Sequence, residues 1–285
     1  MSLTASLSLC IIAGLLWAGT GVAYSFAARR GIDPAAMLFA VSGCASAIVL
    51  PWCRMHSPDG LILWMALSGV ANWAGLVAMQ VAMARGRAGL AWAMGQSAPL
   101  WPLVVAILAH GERPSLTAWC GLAAMATAVA TLAHQSRGSH QGWQSTKWAL
   151  AAFAIIGLQQ SAMAEPSHRG LTDPGNLRLP VFYLTMFVVS GVACAMTRTP
   201  VRAAAWRIGA AAAITSLLGQ WVLLRSLDLL APHRRAGLAY PIAVGTCILA
   251  FALWRAAAGE RYRAGIWTAL ATLLTGLALL AFGSL

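Results

Sequence analysis

Arg87-Ala88-Gly89-Leu90-Ala91 is written a second time as Arg235-Ala236-Gly237-Leu238-Ala239, 148 residues further along. The offset holds well beyond the pentapeptide, because residues 67–133 align with 215–281 without a gap. Asn72-Trp73 falls on Gln220-Trp221, Gly111-Glu112-Arg113 on Gly259-Glu260-Arg261, and Trp119 on Trp267. Ala and Leu coincide by chance in an apolar chain, so the weight lies on these rarer residues. The chain reads as one unit used twice, over residues 1–140 and 141–285.

What kind of unit follows from composition. Of 285 residues, 60% are hydrophobic and only 9% charged, with a mean hydropathy of +0.73. A soluble domain carries about 25% charged residues, so a water-facing globule is excluded. About 20 apolar residues cross a hydrocarbon core roughly 30 Å thick. Such runs occur near 4–28, 34–53, 61–84, 89–110, 117–134, 148–167, 179–197, 207–230, 237–258 and 264–283, separated by short polar breakers such as Ser57-Pro58-Asp59-Gly60. The first run lacks a basic leader and a small-residue cleavage site, and is expected to be retained. Five spans per unit is an odd number, so the second copy enters the bilayer from the opposite side. The expected fold is an all-α membrane protein, ten transmembrane helices in two inverted five-helix repeats around a central cavity. Secondary transporters are often built this way.

The excess of 19 basic over 7 acidic residues does not mark a nucleic-acid binder. The arginines stand singly or in pairs between apolar runs, as loop charges do, and form no stripe or tail. Lys147 is the only lysine and no glycine-rich loop precedes it, so the chain has no phosphate-cradling P-loop to drive an ATP pump. Six cysteines are scattered without a Cys-x-x-Cys pair, and no two histidines lie four apart, so neither a disulfide frame nor a metal site is expected. No Ser-His-Asp or His-Glu-x-x-His pattern appears, and no cofactor is implied.

Seven of the 13 tryptophans (Trp52, Trp64, Trp119, Trp143, Trp148, Trp206 and Trp267) lie near span ends, where indoles anchor at the headgroups. Trp17, Trp73, Trp101 and Trp221 lie instead near the centres of spans 1, 3, 4 and 8. An indole N–H at that depth must face another helix or a watered cavity. Asn72, Gln96, Ser97, Gln159, Gln160, Ser216 and Gln220 share the same depth, and each is costly facing lipid. A common interior surface is the economical arrangement. Aromatic walls with a few amides suit a small organic solute with a ring or a flat apolar part.

Proline points to the same place. Pro99 and Pro102 in span 4 and Pro241 in span 9 each remove a backbone bond, and are read as hinges. Among ionisable groups, Arg225 and Asp228 stand three apart on span 8 and could pair on one face. Glu165, before Pro166, could titrate and couple transport to protons or simply cap a loop. Asp228 is the other candidate for coupling.

The layout resembles the drug/metabolite transporter superfamily, in particular its amino-acid and metabolite exporter (EamA-type) branch. The resemblance rests on ten spans in two halves, a Trp in the first span and the Gly-Glu-Arg turn repeated after spans 4 and 9. Trp17 with Leu100-Trp101-Pro102 looks like the bacterial aromatic amino acid exporters of that superfamily. The resemblance implies a basket of helices around a cavity lined by spans 1, 3, 4, 6, 8 and 9, with Trp17 and Trp101 in its wall. This chain departs from that branch at Leu76-Val77-Ala78-Met79 and at Gln159-Gln160, where the branch carries aromatic residues. The resemblance also implies cytoplasmic termini. Loop charge favours the reverse, since that arrangement leaves 6 basic residues inside and 11 outside.

The expected function is a monomeric secondary transporter in the bacterial inner membrane. It would export an amino acid or related metabolite by alternating access. The alternatives are uptake of a sugar or nucleoside-like solute, or a non-transporting membrane enzyme built on a buried Glu165 or Asp228.

Overall fold

In hydrocarbon a backbone N–H or C=O can pair only within its own segment, so charge-poor apolar runs become helices. The computed structural model describes residues 3–53, 60–86, 88–98, 100–111, 115–135, 140–171, 177–233, 235–260 and 262–282. Eleven α-helices follow in chain order. They are α1 (Leu3–Arg29), α2 (Pro34–Val49), α3 (Leu61–Arg85), α4 (Ala88–Gln96), α5 (Leu100–His110) and α6 (Leu116–Gln135). After these come α7 (His140–His168), α8 (Arg178–Thr197), α9 (Ala203–Leu230), α10 (Ala239–Ala257) and α11 (Ala264–Phe282). No strand occurs among the described residues.

Local chemistry explains several boundaries. Asp33 caps α2 by accepting hydrogen bonds from the amides of Ala35 (2.8 Å) and Ala36 (3.2 Å), with Pro34 at the first helical position. The fourth span is not one helix. It breaks after Gln96, where the Ser97 and Ala98 amides reach back only three residues, to Met94 and Gly95. Pro99, expected as a hinge, lies outside the described residues. Pro102 and Pro241 were expected as hinges within their spans, and the structure places them at the starts of helices. Each is the third residue of its helix, α5 or α10, where a missing N–H has no intrahelical carbonyl to lose. The sixth span also differs, since α7 begins at His140, well before the expected start near 148.

Seven segments are long and apolar enough to cross a membrane: Ala5–Arg29, Pro34–Trp52, Leu61–Arg85, Ala88–His110, Arg178–Thr197, Ala203–His233 and Ala239–Ala257. Leu116–Leu132 and Ala264–Leu280 are shorter apolar helices. In α7 the polar run His140–Lys147, Gln159, Gln160 and Glu165 lower the hydropathy. The molecule is a multi-pass, all-α membrane protein.

The packing pairs helices across the two halves of the chain. α1 lies on α9 and α10; α3 lies on α7 and α8. α2 packs on α8 and α9, α7 on α4 and α5, and α6 on α11. Without water to drive burial, helices associate closely through small residues. Gly121 of α6 and Gly276 of α11 show this: a Cβ on Gly121 would lie 2.6 Å from the Gly276 carbonyl oxygen. N-terminal α1 meets the end of α9, where Ser226 Oγ donates to the Ser6 carbonyl (2.9 Å). Leu280, near the end of α11, packs by Gly121, near the start of α6. The start of α1 and the end of α11 therefore lie at one end of the bundle.

Candidate substrate cavity

Five helices send polar or aromatic side chains to one central void. From α1 come Trp17, Thr20 and Tyr24, spaced by helical turns along one face. Asn72 and Leu76 come from α3, Trp92 and Gln96 from α4, and Ser216 and Gln220 from α9, each pair four residues apart. α7 adds Ile156, Gln159 and Gln160. The void measures about 50 Å³, which at ~10–15 Å³ per water holds about three to five waters. It is contracted relative to ligand pockets of about 300–1,000 Å³.

Two of the amides are oriented by the protein. Ser68 Oγ donates to the Gln159 carbonyl (3.1 Å) and accepts from Gln159 Nε2 (3.3 Å). Asn72 Nδ2 donates to the Met186 sulfur at 3.1 Å. Gln160 and Gln220 are 3% and 7% exposed, and neither side-chain carbonyl oxygen has a partner among the described residues. The aromatic wall is continuous. Trp17 stacks on Tyr240 at 6.4 Å and leans on Gly219, while Tyr24 meets Trp92 edge-on at 6.4 Å.

The structure gathers Trp17, Asn72, Gln96, Gln159, Gln160 and Gln220 here, and it sends Trp73, Trp101 and Trp221 elsewhere. Trp221 follows Gln220 by 100° of helical rotation, so it turns away from this void toward a cleft beside α2 and is 60% exposed. Trp101 is 43% exposed and packs on Gly157 and Phe153 along the outer seam of α5 and α7. Its expected place in the cavity wall is thus corrected. Trp73, partly buried, packs against the core.

Trp92 and Tyr24 were not anticipated from sequence, yet both are 1% exposed in the cavity wall. A signal for Trp92 existed: the pentapeptide repeat continues one residue further, into Trp92 in one copy and Tyr240 in the other.

Neither candidate coupling carboxylate reaches the cavity. Glu165 sits near the end of α7, bound by His110 Nε2 (3.0 Å) and Arg169 Nε (2.6 Å). The His110 and His168 rings stack beside it at 4.4 Å and 8°. Asp228 pairs with Arg178 of α8 (2.8 Å) rather than with Arg225, its neighbour on α9. Arg178 also donates to Ser167 Oγ (3.1 Å) and the Leu171 carbonyl (2.7 Å), tying three helices. Among the described residues no three His, Cys, Asp or Glu side chains converge as a metal site.

The two ends of the bundle differ. Toward the end carrying the termini, α2 and α9 enclose a cleft of about 1270 Å³ with Ile48, Trp52, Arg178, Trp221, Arg225 and Asp228 on its walls. The two helices touch near their other ends, where Ala40 lies against Gly209. At that opposite end aromatic rings pack into a plug. Trp92, Phe251, Trp254 and Phe26 form a chain of rings with centroids 5.4, 5.5 and 6.0 Å apart. An Arg255–Glu260 ion pair lies beside it.

Residues 4–133 match the model of the EamA-like transporter family. No curated protein matches the chain. A solved structure titled only "Crystal structure of protein" aligns with a TM-score of 0.62 over 98% of both chains, at 18% identity. That likeness concerns fold alone, and it extends across both halves of this chain.

Proposed function

We propose that this chain, whose residues 4–133 match the EamA-like transporter family, is a secondary transporter of that family. On this reading it exports a small organic metabolite across the bacterial inner membrane by alternating access. The observation that carries the reading is the convergence of aromatic and amide side chains from α1, α3, α4, α7 and α9 on one central void. Aromatic surface and amides would contact the solute, Trp17, Tyr24 and Trp92 by stacking and Asn72, Gln96, Gln159, Gln160 and Gln220 by hydrogen bonds.

Alternating access requires two states of similar energy, which an inverted repeat supplies. The packing pairs support such a repeat. If each helix of the first half is matched with its counterpart in the second, the α1–α9 contact becomes α7–α3, and both occur. The α1–α10 contact likewise becomes that of α7 with α4 and α5. The open cleft at one end and the aromatic plug at the other would then be one of the two states.

Purified protein in proteoliposomes, loaded with a panel of labelled solutes, tests the proposal. Counterflow above that of empty vesicles is expected for at least one solute, abolished by Trp92→Ala or Gln220→Ala. Glu165→Gln and Asp228→Asn separate the rival classes. A carboxylate-dependent enzyme would lose all activity in one of them, whereas solute exchange at a fixed pH is expected to persist in both.

A further inference from the structure

Where α1 starts, the same end of the bundle holds a cluster of ionisable groups that the cavity does not use. Glu165 of α7 accepts from Arg169 Nε (2.6 Å) with one carboxylate oxygen and meets His110 Nε2 of α5 (3.0 Å) with the other. A carboxylate only accepts, so Nε2 of His110 carries the hydrogen and Nδ1 is the nitrogen left to titrate. The His168 ring lies parallel to that of His110, with centroids 4.4 Å apart and planes 8° apart. His110 is 20% exposed and His168 lines the cleft, so both rings meet water.

Such a pair holds one proton well and two badly. One proton on His110 gives an imidazolium that faces the Glu165 carboxylate and lies over the neutral His168 ring. A second proton sets two cations face to face, with Arg169 beside them. The surroundings add to that cost. Arg169 rests over the Trp64 ring of α3 (5.3 Å). Arg178 of α8 and Asp228 of α9 pair with each other, while Arg225 of α9 shares the cleft wall with His168. Arg235 heads the turn Ala236–Leu238, which packs on both α5 and α7. Cations thus outnumber carboxylates around the pair among the described residues. The joint also bears on the cavity. α7 carries Gln159 and Gln160, and α5 continues the span whose first part, α4, carries Trp92 and Gln96.

The geometry points to a proton-binding site, formed by His110, His168 and Glu165, that latches α5 to α7. The first proton tightens the latch and the second releases it.

The full chain in detergent, isotopically labelled at histidine, is titrated by NMR. Signals of His110 and His168 are assigned by their loss in His110→Gln and His168→Gln. Both are expected to follow two shared steps, separated by about one pH unit or more. His168→Gln should leave His110 a single step. Glu165→Gln should move the upper step toward acid, because the carboxylate that favours the first proton is gone. Spin labels at Leu63→Cys of α3 and Leu108→Cys of α5, in a chain whose native cysteines are replaced, read the latch itself. Both positions are exposed, and α3 lies on α7. Their separation should hold through the upper step, widen through the lower one, and stay constant in His168→Gln. Widening that is absent, or equal in His168→Gln, overturns the inference. So does the lack of any two histidine signals with shared steps in the unaltered chain, a result that stands even where a variant fails to fold. Neither readout uses a solute, so the inference can fail with the carrier reading intact, and the carrier reading can fail with the inference intact.

Discussion

The indole of Trp17 leans on Gly219, and a Cβ built there would lie 2.7 Å from its Nε1. Gly219→Leu must therefore move the ring, and the void beside it is the space available. Solute exchange should fall about tenfold, equivalent to ~1.4 kcal/mol, while the helical circular dichroism is retained. Trp101→Ala is the contrast. That side chain contacts the outer seam, so exchange should change less than about twofold although roughly 1–2 kcal/mol of packing is lost. Equal losses in the two variants would mean that the cavity has been assigned to the wrong residues. The difference between these two indoles also shows what sequence could and could not reveal. An amide at mid-depth has one economical destination, the interior, which is why the amides at 72, 96, 159, 160 and 220 were legible together. An indole has several. Trp101 fills the hollow over Gly157 and Trp221 lies in the wall of the end cleft, and neither neighbour is visible from helical spacing.

Helix limits were legible wherever polar breakers interrupt an apolar run, and the exceptions have local causes. Span 4 reads as one apolar run interrupted only by Gln96-Ser97, yet it divides at Ser97-Ala98, where Ser97 Oγ donates to the Ala93 carbonyl at 2.7 Å and competes with the backbone ladder. Hydropathy does not register that competition. Proline position likewise mattered more than proline presence. Pro102→Ala in the first turn of α5 should shift stability by less than about 1 kcal/mol, because no ladder bond is restored. Arg178→Gln should behave differently. It leaves Asp228, Ser167 and the Leu171 carbonyl without their shared donor and unties α7, α8 and α9. Removing one partner of a buried pair costs about 3–5 kcal/mol. Asp228 is 42% exposed, so the loss should fall at or below the lower end. Thermal unfolding in detergent would rank the two variants, and a larger shift for Pro102→Ala would contradict this account of both elements. The Arg178–Asp228 contact crosses two helices distant in sequence, so spacing along α9 pointed instead to Arg225.

At the scale of the whole molecule, the cleft between α2 and α9 lies at the end where α1 starts and α11 finishes, and packed rings occupy the opposite end. If the two halves exchange these roles, the tie at the closed end sets how often it opens. Arg255 is 7% exposed and its guanidinium lies 5.5 Å from the Trp254 ring, besides pairing with Glu260. Glu260 in turn lies against Gly89 of α4, where a Cβ would come within 3.4 Å of its Oε1, so on the alternating-access reading Arg255→Gln loosens the brace between α10 and α4 at this end, and the equilibrium should move toward the other state. A loss of ~1.4 kcal/mol corresponds to a tenfold change in that ratio. Two single-cysteine reporters, made after replacing the six native cysteines, would read the change. Trp221→Cys in the cleft should react with a membrane-impermeant maleimide added on the side of the termini. Phe251→Cys in the plug should react poorly from either side. With Arg255→Gln added, labelling at 221 should fall and labelling at 251 should rise from the opposite side. The opposed signs carry the argument, because mere loosening would raise both and a rigid bundle would change neither.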